Sequence, residues 1–243
     1  MGNLSFLTET VYAHRGYFDN DKIPENSISA FKKAIRYKYN IELDVHLTKD
    51  DKIVVFHDYN LRRVCGINKN IEDCTYDELL KYNLFNTKCK IPLFDQVLKL
   101  VDGKVSLLIE TKSFNRKCKL EELLSNKLDD YNGKFAIQSF NPFSIYWFKK
   151  HRKKYVRGLL SGDFRHNKTM SNIRKKIMKS LVLDTFLKTN FISYDIRSLP
   201  NKKINKKKKK KIIIGWTIKD KKQYVFSKKY CDNYICENMN EYM

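Results

Sequence analysis

The sequence predicts an α/β fold in which eight parallel strands close into a (β/α)8 barrel. Two observations indicate this fold. Short apolar runs alternate with longer segments of helical periodicity, an order typical of a parallel sheet with right-handed crossover helices. Eight such runs occur in 243 residues, a length that suits one barrel. We therefore expect a single domain over residues 1–243, and a doubly wound open sheet is the alternative.

The eight predicted strands are short, apolar and mostly bounded by polar or turn residues. They are Thr10–His14, Asn40–Val45, Val105–Glu110, Lys134–Gln138, Tyr155–Leu160, Phe191–Tyr194, Lys211–Trp216 and Asn233–Cys236. The predicted crossover helices are Ser27–Tyr39, Leu120–Tyr131, Phe143–Lys153, Ser171–Lys188 and Lys219–Tyr230. Asn26 or Ser27 can cap the first of these helices. No helical pattern follows the eighth strand, which predicts a truncated C-terminal end.

Two segments depart from this alternation. About 60 residues separate the second and third strands, and they include a β-like run at 52–56 and helix-like runs at 76–82 and 94–101. We interpret this stretch as a loop insertion at the active-site end of the barrel. The other segment is 200–211, which ends in six consecutive lysines at 206–211. Because like charges repel, we expect a short, exposed and mobile crossover there.

The net charge of +22 favours anionic partners, which include phosphates, acidic lipid surfaces and nucleic acids. Composition is compatible both with a generic basic surface and with a dedicated polymer-binding site. We expect no nucleic-acid partner, and we expect a weak contact of the lysines with anionic membrane surfaces. The sequence indicates no particular oligomeric state.

No apolar run reaches the roughly 18 residues that a membrane-spanning helix requires. The first residues lack the basic and apolar regions of a secretory signal, so we expect a cytoplasmic protein. The six cysteines form no C-x-x-C pair and are expected to be reduced thiols rather than zinc ligands.

Glu42 and Asp44 stand two residues apart on the second predicted strand, so their side chains share one face. Burial of two neighbouring carboxylates is costly unless a cation compensates them, and a hard divalent cation prefers oxygen ligands. The pair therefore predicts a metal site at the barrel mouth. The alternative is a strand face that is simply solvated.

Glu110 and Lys112 show the same spacing at the end of the third predicted strand. Glu110 can complete a site of three carboxylates, and Lys112 can meet an anionic group of a substrate. An internal ion pair at the barrel rim is the alternative.

Two histidines stand at strand ends, His14 after the first strand and His57 after the β-like run of the insertion. Because imidazole titrates near neutral pH, they predict an acid and base pair. Arg15 adds a forked cation that suits phosphate. Single histidines beside strands are often only hydrogen-bonded core or rim residues. We interpret three others in that way: His46, His151 and His166.

Aromatic side chains follow two further strands, Phe140 after the fourth and Trp216 at the end of the seventh. Rings near a barrel mouth can line a substrate pocket. Simple packing explains them equally well.

These motifs occur together in one order, and the chain resembles the bacterial glycerophosphodiester phosphodiesterases. The matching stretches are Ala-His-Arg-Gly at 13–16, Pro-Glu-Asn-Ser at 24–27, Ala-Phe-x-x-Ala at 30–34, Ile-Glu-Leu-Asp-Val-His-Leu-Thr-Lys-Asp at 41–50, Val-Val-Phe-His-Asp at 54–58, Pro-Leu-Phe at 92–94, Ile-Glu-Thr-Lys at 109–112, Gln-Ser-Phe-Asn-Pro at 138–142 and Gly-Trp-Thr-Ile at 215–218. Two positions depart from the family pattern, since Lys219 stands where Asn is frequent and Cys236 begins a stretch that replaces Thr-Asp-x-Pro.

The resemblance implies a TIM barrel that hydrolyses glycerophosphodiesters to glycerol 3-phosphate and an alcohol with Ca²⁺ or Mg²⁺. It implies three groups of site residues. The metal ligands would be Glu42, Asp44 and Glu110, and the acid and base would be His14 and His57. The substrate contacts would be Arg15 and Lys112 at phosphate, Glu25 beside the metal or the glycerol, and Phe140 and Trp216 around the glycerol.

In the expected reaction, His14 removes a proton from the nucleophile and His57 protonates the departing alkoxide. The nucleophile is either water or a hydroxyl of the substrate glycerol. Two other functions are alternatives. One is a phospholipase D-like hydrolysis of lysophospholipids on the same barrel, and the other is a non-enzymatic module that binds anionic polymers.

Overall fold

The structure is a computed structural model that describes residues 4–113, 116–165 and 170–239. His166 lies outside these residues. The chain divides into two compact units, each considered by itself. The N-terminal unit is Tyr12–Phe135, and the C-terminal unit consists of Met1–Val11 and Ala136–Met243. A single domain over the whole chain stays a prediction.

The N-terminal unit is built on three parallel strands. They are β1 (Tyr12–Ala13), β2 (Asn40–Leu47) and, beyond the short strand β3 (Ile53–Val55), β4 (Leu107–Thr111). Strand β2 pairs in parallel with both β1 and β4, whereas β3 runs antiparallel to β2. All three parallel strands are almost completely buried. Each lies at a predicted position.

The described residues of this unit form five α-helices. They are α1 (Ile28–Arg36), α2 (Arg62–Cys65), α3 (Tyr76–Leu79), α4 (Phe94–Val101) and α5 (Lys119–Asp129). Of the two candidate caps for α1, the Ser27 hydroxyl accepts the hydrogen bond from the Ala30 amide. The Asn26 side chain is engaged elsewhere, as described below.

The predicted insertion between β2 and β4 contains β3, α2, a 3-10 turn at Ile71–Asp73, α3 and α4. It has its own apolar cluster, whose buried members are Val54, Phe56, Leu61, Val64, Ile71, Cys74, Leu79, Leu84 and Ile91. Burial of that many large side chains gives the segment a fixed structure. The insertion is therefore an ordered element that can hold side chains in defined positions.

The C-terminal unit continues the alternation with five strands, each parallel to its neighbour along the chain. They are β5 (Phe135–Ser139), β6 (Val156–Ser161), β7 (Phe191–Asp195), β8 (Ile212–Ile218) and β9 (Asn233–Cys236). The helices are α6 (Pro142–His151), α7 (Asn172–Ser180), α8 (Val182–Leu187), α9 (Lys202–Lys208) and α10 (Lys221–Ser227). No helix follows β9 in the described residues, which end at 239.

The prediction of one long helix at Ser171–Lys188 is wrong, because the segment forms α7 and α8 with a break at Leu181. Leu181 has a left-handed backbone (φ 57°) and a buried side chain. The hydroxyl of Ser180 accepts a hydrogen bond from the Val182 amide, which the break leaves without a helical partner. The change of direction thus buries Leu181 without leaving this amide unpaired.

The prediction for the lysine run is also wrong in part, since Lys202–Lys208 forms helix α9. Not all six lysines are free in solvent. Lys207 and Lys211 each place Nζ 2.6 Å from the carboxylate of Asp184, which is fully buried. Thr189 donates a further hydrogen bond to this carboxylate. The buried carboxylate of Asp184 thus pairs with two lysines that stand four residues apart, and its negative charge offsets the repulsion between their ammonium groups.

In the part of the chain that the structure describes, no helix combines the length and the apolar character needed to cross a bilayer.

We predict that Asp184→Asn lowers the free energy of unfolding by about 2–3 kcal/mol, because it leaves two ammonium groups beside a neutral amide. The loss is smaller than for a fully buried pair, since the Lys207 and Lys211 side chains are 28% and 17% exposed. Urea unfolding followed by circular dichroism measures this change.

The matched control is Asp51→Asn, which is equally isosteric and removes an exposed ion pair with Lys119 at 2.7 Å. It should cost less than about 1 kcal/mol. If the two changes lowered the free energy of unfolding equally, burial of Asp184 would not strengthen its ion pairs.

Candidate active site

Three carboxylates from two neighbouring strands lie together in the N-terminal unit. Glu42 and Asp44 share one face of β2, and the register of β2 against β4 places Asp44 opposite Glu110. Carboxylate oxygens of all three lie within 4.8 Å of one another, and all three side chains are buried. The structure therefore brings the three predicted metal ligands to one point.

Lys112 extends into this cluster from the end of β4. Its Nζ lies 2.9 Å from Asp44 Oδ1 and 2.5 Å from Glu110 Oε1, and the residue is only 8% exposed. Burial acts to lower the pKa of Lys112, but the carboxylates of Asp44 and Glu110 outweigh it and raise that pKa. The internal ion pair, an alternative that the sequence left open, is thus present.

The three carboxylates are not electrostatically equivalent. Burial raises the pKa of Glu42 well above its usual range, and the neighbouring charges of Asp44 and Glu110 raise it further. Burial likewise raises the pKa of Glu110. Burial also acts to raise the pKa of Asp44, but Lys112 and His57 outweigh it and hold that pKa below the usual range. Neighbouring positive groups therefore compensate the negative charge of Asp44 well and that of Glu42 poorly.

This donor set fits a hard divalent cation. Calcium and magnesium take oxygen ligands, and the three clustered side chains offer carboxylate oxygens. The raised pKa values of Glu42 and Glu110 show that the negative charges lack full compensation. A divalent cation would favour the ionised form of both groups.

The loop after β1 adds a guanidinium to the cluster. The Arg15 amide donates to Glu42 Oε2 at 3.2 Å, and its Nε lies 3.6 Å from Asp44 Oδ2. Its Nη1 donates to Glu25 Oε1 at 2.8 Å. The next residue, Gly16, has φ 82°, and a Cβ added there would lie 2.8 Å from the Cβ of Ala30. Close packing of this loop on α1 therefore fixes the position of Arg15.

Glu25, which the resemblance places beside the metal or the glycerol, is 4% exposed and surrounded by donors. Arg63 donates to both of its oxygens, at 2.6 and 3.0 Å, and the Asn20 side chain donates to Oε2 at 3.2 Å. Burial acts to raise the pKa of Glu25, but Arg63 and Arg15 outweigh it and lower that pKa. Glu25 is therefore a buried anion that fixes two guanidinium groups.

His57 follows β3, and its ring is held by the next residue. The distance from His57 Nδ1 to Asp58 Oδ1 is 2.5 Å. Arg63 donates from Nε to Asp58 Oδ2 at 2.7 Å, which holds the carboxylate in turn. Because Asp58 takes Nδ1, exchange of a proton with a substrate would use Nε2 of His57.

His46 shares the β2 face with Glu42 and Asp44 but has a different environment. Its Nε2 lies 3.3 Å from the carbonyl oxygen of His57, and its ring meets the Tyr59 ring edge-on at 5.0 Å. Burial lowers the pKa of His46 to about 4. A buried, hydrogen-bonded histidine is what the sequence interpretation expected here.

The remaining predicted residues lie at the following places. His14 directly follows β1 and is half-buried. Phe140 and Trp216 belong to the C-terminal unit, where their ring centroids are 5.6 Å apart in an edge-to-face arrangement. The Trp216 Nε1 is buried and has no hydrogen-bond partner among the described residues. His151 is exposed on α6 and stacks on Trp147.

Two cavities of the N-terminal unit adjoin Lys112, and Tyr59 and Lys112 line both. One has a volume of about 560 Å³ and is bordered by His57, Arg62 and Arg63. The other, of about 260 Å³, has a mixed lining in which His46, Asn70 and Glu72 stand beside Leu47 and Ile71. A polar substrate can therefore approach Lys112 and His57 from solvent.

Sequence reasoning missed four residues of this network: Asn20, Asn26, Asp58 and Arg63. Asn26 has a left-handed backbone and donates to Asp44 Oδ2 at 2.9 Å. A signal existed for Asn26 and Asp58, because both belong to motifs that match the family. None existed for Arg63, which lies in the insertion and reaches Glu25 from 38 residues away along the chain.

The chain matches the "Glycerophosphoryl diester phosphodiesterase family" over residues 14–237. It is 37% identical over 161 residues to a glycerophosphodiester phosphodiesterase of Caldanaerobacter subterraneus, and this match covers 62% of the chain and 65% of that relative. It is 42% identical over 78 residues to a lysophospholipase D of Homo sapiens, and this match covers 32% of the chain and 24% of that enzyme.

Among solved structures, the chain is similar to an Oleispira antarctica phosphodiesterase in complex with the product sn-glycerol-3-phosphate. The TM-score is 0.77 at 17% identity, over 95% of this chain and 93% of that chain. This likeness shows the TIM-barrel fold that the sequence predicted. Since the family match extends from His14 to Glu237, the chain belongs to the glycerophosphoryl diester phosphodiesterase family.

Proposed function

We propose that this phosphodiesterase hydrolyses glycerophosphodiesters to glycerol 3-phosphate and an alcohol, and that it needs a divalent cation to do so. The observation that carries the proposal is the cluster of Glu42, Asp44 and Glu110, three buried carboxylates with incomplete compensation. The product bound to the structurally similar Oleispira enzyme supports the same substrate class.

In this proposal Glu42, Asp44 and Glu110 hold Ca²⁺ or Mg²⁺, which when bound supplies positive charge to the phosphate oxygens. Asn26 positions Asp44, since it donates to Oδ2 and leaves the carboxylate one fixed orientation. Arg15 and Lys112 would add positive charge at the phosphate. Both side chains already pair with carboxylates. A divalent cation bound to Asp44 and Glu110 would compensate the same carboxylates, which would leave more of the positive charge of Arg15 and Lys112 for the phosphate.

The proton transfers are assigned to His14 and His57. His57 Nε2 would protonate the departing alkoxide, because Asp58 fixes Nδ1 and thereby the ring orientation. His14 would remove the proton from the nucleophile, which is water or a glycerol hydroxyl. The family resemblance assigns glycerol contacts to Glu25, Phe140 and Trp216, and the buried Nε1 of Trp216 is a donor without a hydrogen-bond partner among the described residues.

A lysophospholipase D activity is the second candidate, favoured by the local similarity to the human enzyme. Such a substrate carries an acyl chain that needs an apolar path. The two cavities beside Lys112 contain several charged and amide side chains, which disfavours that path.

A cytoplasmic location also remains part of the proposal.

We expect hydrolysis of glycerophosphocholine to exceed that of lysophosphatidylcholine by at least about tenfold in kcat/KM. The physical reason is that charged side chains, Asp58, Arg62 and Arg63 among them, border the larger cavity and would lie against an acyl chain. Glycerol 3-phosphate released from glycerophosphocholine is the readout. Preference for lysophosphatidylcholine would establish the second candidate instead.

Glu42→Gln, Asp44→Asn and Glu110→Gln should each weaken Ca²⁺ or Mg²⁺ binding by about tenfold or more and remove most activity, since each deletes one anionic ligand. Isothermal titration of the cation into each variant measures affinity independently of turnover. Asp77→Asn, an exposed carboxylate of the insertion, is the control that should bind normally. Unchanged affinity in the three variants would refute the ligand assignment.

His14→Ala and His57→Ala should keep cation affinity and lose about 10²–10⁴-fold in rate. A p-nitrophenyl leaving group needs little protonation, so it should restore His57→Ala and leave His14→Ala slow. His151→Ala, on the exposed face of α6, is the control. Restoration of His14→Ala alone would reverse the two roles, and near-normal turnover of either variant would remove that histidine from the mechanism.

A further inference from the structure

Three consecutive helices of the C-terminal unit, α6, α7 and α8, expose large apolar side chains. They are 40–74% exposed and comprise Phe143, Tyr146, Ile173, Ile177, Val182 and Phe186, here called the α6–α8 surface. Single exposed apolar residues are ordinary on proteins, but a concentration of them on helices that contact one another marks an interaction site.

The arrangement of these side chains is regular. Ile173 and Ile177 stand four residues apart on α7, and Val182 and Phe186 stand four apart on α8, so each pair occupies one helix face. The Phe186 ring stacks on Tyr146 with centroids 6.1 Å apart, which joins α8 to α6. The surface is therefore a set of neighbouring helical faces rather than a mobile loop.

The segment that carries this surface is strongly basic. Between residues 142 and 188 the sequence has 13 Lys and Arg against 2 Asp and Glu. Both acidic residues, Asp163 and Asp184, are buried. Lys149 lies over the Phe186 ring, with Nζ 5.2 Å from its centroid. Basic residues thus share these helices with the exposed apolar side chains, and no exposed carboxylate of this stretch offsets them.

We propose that the α6–α8 surface binds the surface of an anionic lipid bilayer. The apolar side chains would enter the interfacial region while the lysines meet the anionic head groups, as in interfacial amphipathic helices. Aromatic rings such as Tyr146 are favoured at that depth. This contact is separate from the proposed hydrolysis and uses none of the residues assigned to it.

The charge pattern argues against the other partners. A second copy of this chain would place two strongly basic surfaces against each other, which like-charge repulsion disfavours. A nucleic acid would meet the lysines but gain little from Ile173, Ile177 and Val182, because aliphatic side chains neither stack on bases nor bind phosphate. An anionic bilayer can take up the apolar side chains in its interfacial region and pair its head groups with the lysines.

The test is sedimentation of the full chain with vesicles of phosphatidylglycerol mixed with phosphatidylcholine, compared with phosphatidylcholine alone. We expect binding to the anionic vesicles only, and at least about tenfold weaker binding after the double change Ile173→Ser and Phe186→Ser. The matched control is Val225→Ser with Phe226→Ser, an aliphatic and aromatic pair on α10 that is also exposed, at 56% and 41%. This control should bind like the unaltered protein.

A charge series completes the test. Lys176→Gln with Lys179→Gln on α7 should weaken vesicle binding about tenfold at low salt, and Lys209→Gln with Lys210→Gln after α9 should change it less than about threefold. All four lysines are exposed.

Several results would overturn the proposal. They are absence of binding to anionic vesicles, equal effects of the α7–α8 and α10 apolar changes, and binding that depends on the lysines but not on the apolar side chains. Light scattering that shows a dimer dissociated by the α7–α8 changes would assign the surface to a second copy instead. Circular dichroism verifies that each variant is folded.

Discussion

The burial of like charges on β2 and β4 is the constraint on which the site depends. Asp44 and Glu110 lie opposite each other in the sheet, and the ammonium of Lys112 contacts both. Without this ammonium group Glu110 would lose its ion pair, and Asp44 would keep only the more distant Arg15 and the hydrogen bond from Asn26, so the stability of the fold would fall. Glu42 receives less compensation, and its raised pKa identifies the position where a further positive charge has most effect.

The same alternation of charge extends outward from the carboxylates. Arg15 approaches Asp44 and pairs with Glu25, Glu25 pairs with Arg63, and Arg63 also holds Asp58. Each buried or half-buried charge thus has a partner of opposite sign. Because every member fixes its neighbours, the network orients the side chains before any ligand binds, which lowers the reorganisation that binding requires.

The insertion contributes to the site as directly as the parallel strands do. The Phe56 amide donates to the carbonyl oxygen of Asp44, so the residue before His57 is tied to the strand that carries two carboxylates. The apolar cluster of the insertion includes Val64, which stands beside Arg63 and holds its backbone in place. His57 and Arg63 therefore owe their positions to a segment that a minimal barrel would lack.

The parallel strands and the three carboxylates could be predicted from the sequence because both depend on local spacing. Apolar runs mark buried strands, and two acids at positions i and i+2 must share a face. The role of Arg63 could not be predicted, since its contact with Glu25 depends on the path of the insertion. The break at Leu181 could not be predicted either, because the sequence has helical periodicity on both sides of it.

The lysines show why composition alone gives so little information about function. Lys112, Lys207 and Lys211 compensate buried carboxylates, and without those carboxylates their charges would be far less favourable in place. Lys176 and Lys179 are exposed on a helix where the nearest acidic residue along the chain, Asp184, is buried. Both groups contribute to the net charge of +22, but within the described residues only the first group is paired with carboxylates. Partner binding therefore follows from the basic groups that the fold leaves uncompensated, and on α7 these lie beside exposed apolar side chains.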